Sequence, residues 1–481
     1  MSYGETIQYL YNLQKHGIKF GLDNITRLLS RLNNPHESFL SVHVAGTNGK
    51  GSTSAIIASI LQTAGFTVGL FTSPHLVSFT ERIRVNGNEI SESEVVRLAG
   101  EIKDISLHID DFSPTFFEVV TAMALLYFAR KKIDIAVMEV GMGGRLDATN
   151  IILPEVSVIT SIGYDHKEFL GISLGEIAFE KTGIIKNGVP VVVSHQETEV
   201  KKVIEKKARE NNADFYMYGQ DFSSVLEKED IWGIWFDYRD GGSVRLDDLF
   251  LPLAGEHQMQ NASVAIKTAM IVLSNHNVNP ELPPLIRRDL RVDDNPLKNV
   301  THHFIREGLK NVKWPGRLEF IHEDPPVLID GAHNPAAAEA LSHALKNLFL
   351  KKYRRIILIL GIMDDKDISG VMQPLLPLAS EIILTSPSYT RAASPEKLAG
   401  IAAALGYSNI KTVPTLKDAI ESVVRIHSGA SGQDSIISDH IIPLPLTPCS
   451  PPLIVITGSF YTTGEAKEIL GQKGVLTRLR E

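Results

Sequence analysis

Residues 44–53 read VAGTNGKGST, a glycine-rich run with one lysine and hydroxyl residues behind it. The backbone N–H groups of such a loop, with the N-terminus of a following helix, can cradle a polyphosphate. Lys50 would reach the terminal phosphates, and Ser52 or Thr53 could reach Mg²⁺. The chemistry this implies is use of a nucleoside triphosphate. The common pattern GxxxxGK[ST] is not fully met. Valine stands at 44, and Gly51 separates Lys50 from Ser52. Taken alone, a glycine-rich turn is also an ordinary strand-to-helix connection.

Further candidates follow along the chain. Glu139, in MEVGMGGRLDATN (138–150), lies near the C-terminal end of a strand-like run, where ligands of open α/β sheets gather. It could equally be a solvated strand-end carboxylate. The glycines after it do not complete GxGxxG, because Leu146 takes the last position. His166 follows the next strand and could complete a Mg²⁺ site with Glu139, although Mg²⁺ prefers oxygen. In SLGEIAFEKTGIIK, Ser173 can cap a helix with Glu176 at the capping-box position. Leu174, Ile177, Ala178 and Lys181 then share one apolar face. A lysine there is either snorkelling or a buried amine of lowered pKa that captures CO₂ as a metal-binding carbamate. DGAHNP (330–335) sits at another strand-to-helix junction. Asn334 suits an N-cap and Pro335 the first helical position, which leaves Asp330 and His333 without a local role. Arg317 is either a solvated linker residue or a phosphate ligand.

The elements that must position these residues alternate. An apolar run at 39–45 leads into the loop. Ile56, Ile57, Ile60, Leu61 and Ala64 then recur at helical spacing, Gly65 stops the helix, and 66–71 reads as a strand. Runs at 133–140, 156–162 and 189–194 suit buried parallel strands. Residues 213–255 carry Trp232, Trp235 and Tyr238 among polar residues and suit an antiparallel patch. Residues 276–300 read as a surface excursion and WPGR, at 314–317, as a linker. A second α/β series starts at 318, with strands at 327–329, 356–360, 382–384 and 453–456. Residues 428–452, rich in Ser and Pro, read as a flexible surface insertion. The fold class expected is α/β: a P-loop ATPase-like domain over 1–312 with a mostly parallel sheet, a linker at 313–317, and a Rossmann-like domain over 318–481.

The 481 residues, 43% hydrophobic and 22% charged, are ordinary for a globular chain of two or three domains. A net charge of −8 argues against nucleic acid as the main ligand. The single cysteine, Cys449, excludes an internal disulfide. The N-terminus has no signal-peptide pattern and no apolar run suits a membrane helix, so the expectation is a cytoplasmic protein without membrane contact.

The motifs HVAGTNGKGST (43–53), FTSPHL (71–76), ERIRVNG (81–87), TFFEVVTAMA (115–124), EVGMGGRLDATN (139–150), DHKEFLG (165–171), EKTGIIK (180–186), WPGRLE (314–319), DGAHNP and TGSFYTTGEA (457–466) occur in this order. Together they resemble the folylpolyglutamate synthases and their bifunctional dihydrofolate synthase form, members of the Mur ligase family. The resemblance implies an ATP-dependent ligase, in which a folate carboxylate is phosphorylated and the acyl phosphate is attacked by the amine of L-glutamate. It implies ATP phosphates on Thr47, Asn48, Gly49, Lys50 and Gly51, with Ser52 near the metal. One Mg²⁺ would lie on Ser73 and Glu139 and a second near His166. Lys181 matches the family's carbamylated lysine. Asn261, Arg317 and Asp330 would contact ATP, with His333 close by, in an active site between two domains that close on their substrates. Thr115, Phe116, Phe117, Glu118, Leu146 and Asp147 resemble the pterin-side pocket. The partners implied are small molecules, reduced folate or dihydropteroate with L-glutamate, and the expected assembly is a monomer. The family often has arginine where Asn24 stands, near the folate end. A Mur-type ligase with another acceptor is the alternative; its peptidoglycan form would carry a nucleotide-sugar-binding domain ahead of the loop. An NTP-driven switch protein would suit the loop, but there is no NKxD string for guanine.

Overall fold

Short valine- and isoleucine-rich runs form strands covered on both faces in the computed structural model, which describes residues 1–17, 21–242, 244–276, 296–427 and 451–471. Two compact units emerge, Met1–Trp314 and Pro315–Glu481. In the first, the strands are Leu40–Ala45 (β1), Val68–Phe71 (β2), Ile83–Val85 (β3), Asn88–Glu89 (β4), Ile135–Glu139 (β5), Val156–Ile159 (β6), Val191–Val193 (β7) and Phe215–Met217 (β8). They form one sheet in the order β4-β3-β2-β5-β1-β6-β7-β8. From β2 to β8 every pairing is parallel, while β3 and β4 add an antiparallel edge. The chain leaves β1 toward β2 on one side but leaves β5 toward β6 on the other. This reversal places the switch point, where ligands of such sheets bind, at the C-terminal ends of β5 and β1.

The helix after β1 runs Lys50–Thr63 and is buried nearly all round. Ile56, Ile57, Ile60, Leu61 and Ala64 all sit in the core that also holds Val42, Val44, Val137 and Val158. Its other faces are covered by helices His257–Asn275 and Pro296–Lys310, which explains why it lacks a polar stripe. Residues 213–255 divide. Its first strand, β8, joins the main sheet. Phe222–Asp230 (β9), Gly233–Asp240 (β10) and Val244–Leu251 (β11) form a separate antiparallel sheet, with the Trp235 ring tilted against Phe250 at 4.6 Å.

The second unit holds Glu319–Glu323 (β12), Pro326–Ile329 (β13), Ile356–Leu360 (β14), Glu381–Ser386 (β15), Ile410–Thr415 (β16) and Leu453–Thr457 (β17), in the order β12-β13-β17-β14-β15-β16. Only β12 is antiparallel to its neighbour. The edge strands β3, β4, β12 and β16 do not show in the hydrophobic pattern. An edge needs no continuous apolar run, and β16 is largely exposed. Residues 277–295 of the 276–300 excursion and 428–450 of the 428–452 insertion lie outside the described residues.

Candidate active site

The loop after β1 is closed by contacts that only glycine permits. Gly46 has φ 149°, and a Cβ there would stand 1.8 Å from Thr160 Oγ1. Gly49 has φ 88°, and its Cβ would stand 2.3 Å from Asn261 Oδ1. The N–H groups of Thr47 and Asn48 both donate to the Ser161 carbonyl, at 2.8 and 3.1 Å. The Thr47 hydroxyl donates to Gly163 O at 3.0 Å. The backbone donors of Thr47 and Asn48 therefore hold the loop to the end of β6. The donors left over are those of the first helical turn, because Gly49 is the N-cap and brings no side-chain acceptor. An uncapped, mostly buried helix N-terminus at a sheet switch point favours negative charge. Asn261, 7% exposed, donates its amide to Gln258 Oε1 at 3.0 Å, which turns its own oxygen toward Gly49.

Two lysines converge on this loop. Lys50 Nζ donates to Gly46 O at 3.1 Å and Thr47 O at 3.2 Å. Lys181 Nζ donates to the same Gly46 carbonyl at 2.8 Å. Helix Leu174–Thr182 delivers Lys181, with Ser173 and Glu176 forming the capping box and Ile177, Ala178 and Lys181 on its buried face. Lys181 is only 4% exposed. Burial, reinforced by the positive charge of Lys50, lowers its pKa to about 7; Asp165 and Asp147 oppose the shift. The snorkelling alternative does not hold, since the amine ends inside the protein on a backbone carbonyl.

Glu139 ends β5, paired with Val44 of β1, and there it meets Ser73. Ser73 N–H donates to Glu139 Oε2 at 3.0 Å, and Glu139 is 4% exposed. Ser52, 2% exposed, lies in the first turn of the loop helix. His166 stands beyond β6 with φ 49°, more than a third exposed, its N–H donating to Asp165 Oδ1. Among the described residues no three His, Cys, Asp or Glu side chains are grouped as a protein-only metal cage requires. One buried carboxylate held by Ser73 nonetheless fits Mg²⁺, which takes few protein ligands and completes its shell with water and phosphate oxygens.

The region after β5 gathers the remaining candidates of this unit. Asp147 is fully committed. One carboxylate oxygen accepts from Thr149 N–H (3.0 Å) and the Thr149 hydroxyl (2.6 Å), the other from Met142 N–H (2.9 Å). Burial still raises its pKa. Since the Thr149 hydroxyl spends its proton on Asp147, the buried His43 at 2.8 Å donates to it through Nε2. Leu146 is partly exposed beside it. Thr115 and Glu118 form the capping box of helix Phe116–Lys131, and Glu118 also accepts from Asn24 at 3.4 Å. Phe117 packs 5.9 Å from Phe71 and fills the space a Cβ at Gly141 would need. Phe116 stacks on Tyr11 at 5.6 Å, with the Arg82 guanidinium 5.3 Å from its ring.

In the second unit Asp330 follows β13. Its carboxylate accepts Leu318 N–H at 3.1 Å and Ala332 N–H at 2.9 Å, so it too has a local task. Burial raises its pKa against the opposing charge of Arg317. His333 donates Nδ1–H to Gly331 O at 2.9 Å, and its ring lies 5.4 Å from Phe460. Arg317 lies over the same Phe460 ring at 4.8 Å. Asn334 caps helix Pro335–Ala344, with Pro335 at its first position. Gln258 and Thr160 escaped the sequence reading, and Arg82, Trp314 and Phe460 fell within its motifs without a role, because only their contacts mark them out.

Residues 44–269 match the Mur ligase middle domain and residues 316–437 the Mur ligase glutamate ligase domain. The chain is 37% identical over 402 residues to a dihydrofolate synthase/folylpolyglutamate synthase of Bacillus subtilis, covering 82% of this chain and 88% of that protein. Folylpolyglutamate synthase from Mycobacterium tuberculosis, solved with ADP, superposes with a TM-score of 0.83 at 31% identity, covering 98% of this chain and all of that one (100%). A solved FPGS–AMPPCP–folate complex superposes at 0.74 with 30% identity, covering 98% and 100%.

Proposed function

Because the chain belongs to the folylpolyglutamate synthase/dihydrofolate synthase branch of the Mur ligase family, we propose that it joins L-glutamate to folates with ATP. The observation that carries this reading is the uncapped first turn of helix Lys50–Thr63, with two lysine amines on the Gly46 carbonyl behind it. A carboxylate is a poor electrophile, so it first takes the γ-phosphoryl group of ATP, releasing ADP. The glutamate amine then attacks the acyl carbon, the amide bond forms, and phosphate leaves with the C–O electron pair. Two anions must meet in the first step, which requires fixed positive charge aimed at the transferring group. Lys50 and the helix N-terminus supply it. Ser52, Ser73 and Glu139, with His166 for a second ion, would hold Mg²⁺, which when bound neutralises charge on the phosphates.

Lys181 is proposed to act as a carbamate. Its neutral amine adds to the carbon of CO₂ and loses one proton, leaving an anion in place of a second cation. Beside Lys50 this turns a repulsion into an attraction. Asn261, Arg317 and Asp330 are assigned to the nucleotide, with His333 beside it. Thr115, Phe116, Phe117, Glu118, Leu146 and Asp147 are assigned to the neighbourhood of the pterin. For Thr115, Glu118 and Asp147 that role is indirect, since their polar atoms shape the walls. Dihydropteroate is proposed as a second acceptor, and the working form as a monomer acting in the cytoplasm. No helix among the described residues is long and apolar enough to cross a membrane.

The test offers dihydropteroate or tetrahydrofolate to the protein with ATP, Mg²⁺ and L-glutamate, and reads products by mass alongside ADP. A gain of one glutamate in both tubes establishes both activities. A gain with tetrahydrofolate alone removes the dihydropteroate reading. No gain in either, despite ATP turnover, refutes the folate assignment. Full ligation by Lys50→Ala refutes the loop assignment.

A further inference from the structure

Gly51 is where the phosphate loop departs from the common pattern, and its surroundings give a reason. It is the second residue of helix Lys50–Thr63 and does not have the positive φ of Gly46 and Gly49. Helix propensity alone favours alanine at such a position. Space does not allow it. A Cβ at 51 would stand 2.6 Å from Cζ2 of Trp314, 3.2 Å from its Cε2 and 3.4 Å from its Nε1. The indole is itself held. It packs against the core that surrounds the loop helix, and the Arg84 guanidinium lies 5.8 Å from its ring centroid. The Arg84 side chain is 12% exposed, and its buried Nε has no hydrogen-bond partner among the described residues. A cation so placed favours the aromatic face. Trp314 is also the last residue of the first unit, immediately before Pro315.

We propose that Trp314 is a positioning residue of the nucleotide site. Its indole seats the first turn of the loop helix, so that the N–H groups there are set for phosphate, and the Ser52 hydroxyl for the metal, before nucleotide arrives. Occupancy of the loop is thereby felt at the last residue of the first unit. This rests on reading the loop as the ATP site, and the experiment separates the two.

The chain has three tryptophans, Trp232, Trp235 and Trp314, the first two on the antiparallel β9–β11 sheet or its turns. Trp232→Phe with Trp235→Phe leaves Trp314 as the only reporter in the full chain. Titration with Mg²⁺–ADP is expected to change its emission with the half-saturation that calorimetry measures. Lys50→Ala in the same background is expected to lose both signals. Gly51→Ala is expected to weaken ADP binding roughly tenfold through overpacking against the indole. In a Trp314→Leu background, which is itself expected to raise KM for ATP more than it lowers kcat, the same alanine should cost less than about threefold. If alanine is as damaging with leucine at 314 as with tryptophan, glycine serves the phosphates and not the indole, and the proposal is overturned. It is equally overturned if calorimetry shows ADP bound while Trp314 emission stays unchanged, a result that does not depend on how Gly51→Ala folds. If Lys50→Ala binds ADP as the parent does, the loop reading falls and the proposal falls with it.

Discussion

Replacing Lys181 by methionine removes an amine whose titration the fold has displaced. An ordinary lysine titrates at 10.5, and burial beside Lys50 brings Lys181 to about 7. The sign follows from proton counting. Between these values the unfolded chain holds a proton on residue 181 that the folded chain has released, so stability rises with pH. Below about 7 both states are protonated and the full burial penalty applies; above 10.5 both are neutral and it is gone. With 1.36 kcal/mol for each unit, the penalty is about 4 kcal/mol at pH 7 and about 2 kcal/mol at pH 9. Urea unfolding of parent and Lys181→Met should therefore be compared at pH 7 and 9 in buffer stripped of carbon dioxide. The parent is expected to gain about 2 kcal/mol relative to the variant over that interval. Bicarbonate should then stabilise the parent near pH 7.5 and not the variant, because carbamate formation is linked to folding. A ¹³C carbamate resonance from labelled bicarbonate should likewise vanish with Lys181. An unchanged parent-to-variant difference between the two pH values would refute the displaced pKa. A normal pH difference without any bicarbonate effect would refute the carbamate alone.

Three further outcomes are expected. Glu139→Gln keeps the hydrogen bond from Ser73 but removes the charge, and the Mg²⁺ concentration for half-maximal ligation should rise at least roughly tenfold; an unchanged Mg²⁺ dependence would exclude it as a ligand. Gln258→Leu leaves the Asn261 amide without its acceptor, so KM for ATP should rise about tenfold with little change for the folate, as steady-state kinetics would show. Thr115→Ala removes the cap of helix Phe116–Lys131 and should cost about 1 kcal/mol in urea unfolding, with KM for the folate rising if that helix start forms the pterin wall.

Much of the architecture is written locally. Alternating β-branched and helical runs mark the parallel strands because each buries both faces, and the Ser173 and Asn334 caps are readable because a cap involves residues three apart. The glycine-rich loop and the apolar placement of Lys181 are legible for the same reason. What local sequence leaves open is which distant groups a side chain meets. Asp147 and Asp330 have the composition of ligands, yet the fold spends their oxygens on Met142 and Thr149 in one case and on the Leu318 and Ala332 N–H groups in the other. Two lysines 131 positions apart converge on the Gly46 carbonyl because the loop after the central strand β1 comes against helix Leu174–Thr182. Trp314 explains Gly51 across more than 260 residues of chain. A sequence states residue types and short-range periodicity. The pKa of a buried amine, the room beside a glycine and the direction of an amide depend on atoms brought together by sheet order, and only the fold sets those.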